Sequence, residues 1–166
     1  MTAIKTQNRF IKTKIPAPGT NKIIKSLEKS ESKSMQGQLP IVWSKAVGHS
    51  LYDMAGNKFI DFTSTIFVAN IGHSNANLIK NLKKALDKKL LHSYAYFNDS
   101  REKYLKNLVK FAGKNFEKAF LMSAGTEATE AALKLMRLYG QKVKKRKLGI
   151  ICIDGNWHGR TMGAQM

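Results

Sequence analysis

The chain has 166 residues, 43% of them hydrophobic, and carries 29 Lys and Arg against 11 Asp and Glu, for a formal charge of +18. This length and apolar content admit one ordinary folded domain or part of a larger one, and they exclude a disordered chain. The lone cysteine, Cys152, excludes an intramolecular disulfide.

The opening MTAIKTQNRF lacks the apolar core of a signal peptide, and no apolar run approaches the roughly 20 residues that span a bilayer. A cytoplasmic protein without a membrane anchor is therefore expected. The positive charge raises nucleic acid as a partner. However, the 24 lysines are spread along the chain, and only KVKKRK at 142–147 forms a cluster, with no aromatic inside it. A solvated loop is the better reading, and nucleic-acid binding stays as an alternative.

In chain order, three segments emerge: 1–40, 41–75 and 76–166. Residues 1–19 are polar and basic and end in IPAPG, so they read as an extended arm. A short helix is predicted over 20–29, with Ile23, Ile24 and Leu27 on one face, followed by the loop SESKSMQGQ. From Ile41 the pattern turns to strands: IVWSKAV, SLYD and KFIDF, with a tight turn at MAGN in which Gly56 and Asn57 take left-handed dihedrals. TSTIFVANIGHSN, 63–75, has neither helical nor strand period and reads as an irregular loop of the kind that carries function.

Two helices follow. NLIKNLKKALDKKLL and REKYLKNLVKFAG place leucines at helical spacing, and these faces read as core. Asp99 with Glu102 reads as a capping box for the second, and Gly113 as its stop. KAFLM, a helix and LGIICID then have the spacing of a βαβ unit, which makes Cys152 a small core residue.

The helix between those strands opens with Ala124-Gly125-Thr126. A glycine there lets a ligand approach the first amides, which point outward with the positive end of the helix dipole and suit a phosphate, with the Thr126 hydroxyl as a further donor. The plain alternative is a helix start capped by Ser123, with Glu127 and Glu130 in the early turns complementing the dipole. Beyond Asp154 the chain continues GNWHGRT, which brings Trp157, His158 and Arg160 past the carboxyl end of a strand, where open α/β sheets bind ligands. An anion seat beside an indole describes a site for a flat, phosphorylated aromatic ligand.

AGTEATEAALKLMR resembles the phosphate-binding segment of the class III aminotransferases, pyridoxal-phosphate enzymes of fold type I. GNWHGRTMGAQ resembles their cofactor-stacking segment, and LYDMAGNKFIDFTSTIFVANIGHSN is similar to their N-terminal meander and the loop closing on Gly-His. The resemblance covers 42–166, and three ordered motifs are more specific than any one of them. It implies an α/β fold, in which 1–40 is an arm and short helix, 41–75 a small antiparallel meander and substrate-side loop, and 76–166 the start of a mostly parallel, cofactor-binding large domain.

By the same resemblance, Ala124, Gly125 and Thr126 hold the phosphate of pyridoxal 5′-phosphate and Trp157 stacks on its ring. Arg160 contacts a substrate carboxylate and Ile66 lines the substrate pocket, as in members acting on ω-amino acids such as 4-aminobutyrate. His158 receives no proton-transfer role. The implied reaction moves an amino group from an ω-amino acid or related amine to a 2-oxo acid, in a homodimer. Four positions depart from the family pattern: Thr65 where glycine is usual, Thr129 where asparagine is usual, and Ser123-Ala124 in place of Asn-Ser or Thr-Gly.

None of the 24 lysines lies in a segment matching the family's Schiff-base motif, and no acidic partner for the pyridine nitrogen follows Trp157. The expectation is the N-terminal part of a longer enzyme, inactive alone. A truncated, non-catalytic dimerisation partner is the other reading left open.

Overall fold

The computed structural model describes residues 3–165. It divides into two compact units, Met1–His92 and Ser93–Met166.

The first unit is organised by one antiparallel sheet. Strands β1 (Ile4–Lys5), β2 (Phe10–Ile11), β3 (Trp43–Val47), β4 (Ser50–Asp53) and β5 (Lys58–Ile60) line up in the order β1-β2-β5-β4-β3. Lys5 sits opposite Phe10, Phe10 opposite Lys58, Leu51 opposite Phe59, and Ala46 opposite Leu51. The meander expected from the sequence is present. The arm, by contrast, is not merely extended, since it adds two strands to the free edge of β5. Two residues each suffice because neighbours already satisfy one side of the ladder.

Asn57 makes that addition possible. Expected as a left-handed turn residue, it is instead fully buried, and only Gly56 has positive φ, at 75°. The Asn57 Oδ1 accepts from the N–H of Lys12 at 2.7 Å and Thr13 at 3.1 Å, while Nδ2 donates to Thr13 Oγ1 at 2.8 Å and Asp53 Oδ2 at 2.6 Å. Asp53 Oδ1 in turn accepts from the N–H of Ala55 and Asn57. Every polar atom of a buried amide is thereby paired, which fixes arm and turn together.

Helix α1 (Thr20–Ser30) matches the predicted span within a residue. The one-turn element α2 (Ser64–Phe67) is followed by α3 (Ala76–Asp87), whose cap is Asn75, with Oδ1 accepting from Asn77 and Leu78 N–H. Leu78, Leu82 and Leu86 of α3 are exposed rather than core, because no second layer covers that face among the described residues.

In the second unit, α4 (Asp99–Ala112) ends at Gly113, φ 90°, as expected. Its cap lies one residue earlier than the capping box predicted. Asn98 accepts from Arg101 N–H at 2.7 Å, and Asp99 pairs with Lys103. An Asn in extended backbone reaches the third helical amide, which Asp99, already helical, cannot do.

Helix α5 (Gly125–Val143) follows. The flanking KAFLM and LGIICID segments have no strand pairing among the described residues, a correction to the predicted βαβ unit. A parallel strand needs a neighbour brought back by a crossover, and neither segment has one here. Cys152, predicted as core, is exposed for the same reason, as are Ile151 and Ile153.

Candidate functional site

The start of α5 is bare. Ala124 is extended (φ −150°, ψ 164°) and makes no side-chain cap, so the sequence reading of a Ser123 cap is replaced. Ser123 instead donates its N–H to Glu127 Oε2 at 3.0 Å. The first helical bond runs from Ala128 N–H to Ala124 O at 3.0 Å, which leaves the amides before it directed outward with the dipole. A Cβ on Gly125 would meet no protein atom within 4 Å. The protein's own packing therefore does not demand glycine there, and the open space admits a ligand against the amides.

The 157–164 loop is tied onto this helix by Glu130, one turn in. Its Oε1 accepts the hydroxyl of Thr161 at 2.5 Å, the N–H of Gly163 at 2.9 Å and that of Ala164 at 3.2 Å. The Thr161 hydroxyl holds the Glu130 carboxyl below the ordinary glutamate range, against partial desolvation, with the two amides adding to the effect.

Thr126 Oγ1 lies 3.1 Å from Thr161 Oγ1. Thr161 has one proton and gives it to Glu130, so Thr126 is the donor in this pair. In this arrangement the Thr126 hydroxyl is committed to the loop, and the donors left facing outward at the helix start are backbone N–H groups. Thr129, another departure position, turns its hydroxyl back onto Gly125 O at 3.1 Å.

Two glycines make the junction close. A Cβ on Gly159, φ 140°, would run into the Thr126 side chain and come within 3.0 Å of Ala164, and one on Gly163 would run into the Glu130 carboxylate. Ala164 is among the few buried apolar side chains. Trp157 is 72% exposed, and Arg160 Cζ lies 5.7 Å from the centre of its indole. The predicted residues Gly125, Thr126, Trp157 and Arg160 thus fall on two segments that Glu130 and Thr161 join. Sequence reading saw Glu130 only as a dipole-complementing acid and passed over Thr161. The spacing Gly159-x-x-x-Gly163 facing a helix was the available signal.

A cleft of about 680 Å³ runs along the flank of α5, lined by Ala132, Leu133, Met136, Ile150, Cys152 and His158 among others. It includes none of Ala124, Gly125, Thr126 and Trp157. The uncapped amides, the space above Gly125 and the exposed indole together fit a phosphate ester bearing a flat ring.

Ile66 belongs to the first unit, on α2. This turn is left-handed: Ser64, Thr65, Ile66 and Phe67 have φ of 47°, 55°, 58° and 69°. Non-glycine residues pay roughly 1–2 kcal/mol each for that hand. Thr65, at φ 55° and ψ 49°, stands where the resemblance places glycine, and the dihedrals supply the reason for that glycine.

The Aminotransferase class-III family model matches residues 32–165, and the chain belongs to that family. Class III aminotransferases are pyridoxal-phosphate enzymes of fold type I. Among individual proteins, the chain is 37% identical over 142 residues to the acetylornithine aminotransferase of Clostridium acetobutylicum, a match covering 83% of this chain and 35% of that protein. It is 38% identical over 146 residues to the ornithine aminotransferase of Brevibacillus brevis, covering 86% and 36%. The crystal structure of acetylornithine aminotransferase from Elizabethkingia anophelis superposes with a TM-score of 0.74 at 30% identity, covering 87% of this chain and 36% of that one. The chain therefore spans about a third of the length of these relatives.

Proposed function

We propose that this chain forms the phosphate-binding and substrate-side part of a pyridoxal-phosphate aminotransferase. The complete enzyme moves an amino group from an ω-amino acid or related amine to a 2-oxo acid. The observation that carries this reading is the Glu130–Thr161 tie, which joins the bare start of α5 to the loop bearing Trp157 and Arg160. When bound, pyridoxal phosphate supplies an aldehyde for the donor amine and an electron-withdrawing ring.

The chain's own residues do the rest of the work assigned here. The amides at Gly125 and Thr126, following the extended Ala124, neutralise a phosphate dianion. Trp157 covers one ring face and excludes water from it. Arg160 reads a substrate carboxylate through its planar fork, and Ile66 keeps water from the donor's aliphatic chain. The relatives' names favour ornithine-like donors over 4-aminobutyrate. The covalent lysine lies outside this chain, and the enzyme is a cytoplasmic homodimer. Among the described residues no helix is long and apolar enough to cross a membrane.

The test is to assay the complete enzyme, with pyridoxal phosphate, against ornithine, acetylornithine and 4-aminobutyrate with a 2-oxo acid. Transamination of at least one supports the reading, and inactivity with all three overturns it. The 166-residue chain by itself is expected to transaminate none.

A further inference from the structure

We propose that Asp61 and His73 are positioning residues that hold α2 in its left-handed form, and so set the wall that Ile66 presents to the aliphatic part of the amino donor. The second clause rests on the functional reading above, while the first stands on geometry alone.

Four consecutive non-glycine residues with positive φ do not persist unless their surroundings over-determine them. The turn's own bonds are few: Phe67 N–H to Thr63 O, and Val68 and Ala69 N–H to Ser64 O, each at 2.9 Å. The determining group is Asp61, whose side chain is 4% exposed. Its Oδ1 accepts the N–H and O–H of Thr63, both at 2.9 Å, and the N–H of Ser64 at 3.0 Å, which fixes the entry to the turn. Its Oδ2 meets His73 Nε2 at 2.7 Å.

His73 is itself anchored to the sheet. Its backbone exchanges bonds with Gly48, N–H to O at 2.8 Å and O from N–H at 2.9 Å, and its ring stands edge-on to Trp43 at 5.7 Å. Gly72, beside this pairing, has a left-handed φ of 84°, a conformation that favours glycine. A chain of contacts thus runs from β3 through His73 and Asp61 to the turn. At its end Ile66, Phe67 and Val68 are each at least 75% exposed. Strain maintained to display apolar side chains is the mark of a shaped surface rather than of packing.

The clamp makes a prediction that a general stability role does not. Glycine at position 65 relieves one of the four strained positions, so Thr65→Gly should partly and specifically rescue a clamp variant. The experiment uses the complete enzyme as wild type, Asp61→Ala, Thr65→Gly and the double variant. It reads amide hydrogen exchange across residues 63–68 together with KM and kcat for the preferred amine.

Asp61→Ala is expected to speed exchange of the bonded Ser64 and Phe67 amides at least 10-fold and to raise the amine KM about 10-fold, with kcat within about 2-fold. The double variant should recover part of both, beyond the sum of the single effects. Unchanged exchange in Asp61→Ala, or no rescue by Thr65→Gly, overturns the clamp. Altered exchange with an unchanged KM overturns the link to the donor. If the wild type transaminates nothing, the functional reading fails, and the exchange measurements still decide the clamp. Should Asp61→Ala not fold, His73→Phe makes the same test, because it removes the bond to Oδ2 and keeps an aromatic edge against Trp43.

Discussion

The sheet of the first unit and the α5 region of the second differ in how far they complete themselves. In the first, hairpin neighbours pair strand to strand, and the Asn57 amide satisfies the backbone of an arm more than 40 positions away in sequence. In the second, an apolar segment before α5 and another after it have no strand partner among the described residues, with Ile151 fully exposed and the flank of α5 open as a cleft. Antiparallel pairing needs only a tight turn, whereas a parallel sheet needs strands delivered by later crossovers. Even so, the second unit carries a well-defined polar junction at Glu130. Local polar organisation therefore does not wait for the apolar layers.

The largest expected effect breaks the first side of this contrast. Asn57→Ala strands the N–H groups of Lys12 and Thr13 beside a buried Asp53, and should cost about 3 kcal/mol or more, read from the shift of a urea unfolding curve. A loss under about 1 kcal/mol would show that the arm is held otherwise.

Gly159→Ala should follow at about 2 kcal/mol, because its Cβ collides with Thr126 at a strained φ of 140°. A lowered thermal midpoint together with weaker pyridoxal phosphate binding is the expected outcome.

Glu130→Ala removes three bonds from the loop and should weaken cofactor binding by about 10-fold, with Glu130→Gln intermediate. The sign of its pH dependence follows from the lowered carboxyl. Its contribution is present above the usual value of 4.5 and is lost as pH falls through the lower value it has when folded. The loop around Trp157 should therefore be insensitive to this group near neutrality and loosen only in acid, a transition visible in Trp157 emission and absent in Glu130→Gln.

The smallest stability effect should be that of Gly125→Ala, within about 0.5 kcal/mol, since its Cβ enters open space. Titration with pyridoxal phosphate should nevertheless reveal weaker binding. Unchanged affinity would remove the α5 start as the phosphate seat.

Much of this was readable from residue order. The meander, the ends of α1, the Gly113 stop and the helix opening at Gly125 follow from periodicity and from glycine and asparagine punctuation, which act within a few residues. Local rules erred by one residue at the α4 cap, where two adjacent candidates compete for one amide. They failed for the leucines of α3 and for Cys152, because burial is a property of what packs above a face and not of the face itself.

By itself, then, the sequence determined the family, the order of the elements and the residue types brought to the site, all of which are written in short spans of chain. Only the tertiary structure decided that Glu130 and Thr161 join α5 to the Trp157 loop, that Thr126 spends its hydroxyl on that joint, and that Asp61 bonds His73 beside a left-handed turn. Each of these pairs residues 12 to 35 positions apart through a single polar contact. Such a contact leaves no period or motif in the chain, and it exists only once the backbone has brought donor to acceptor.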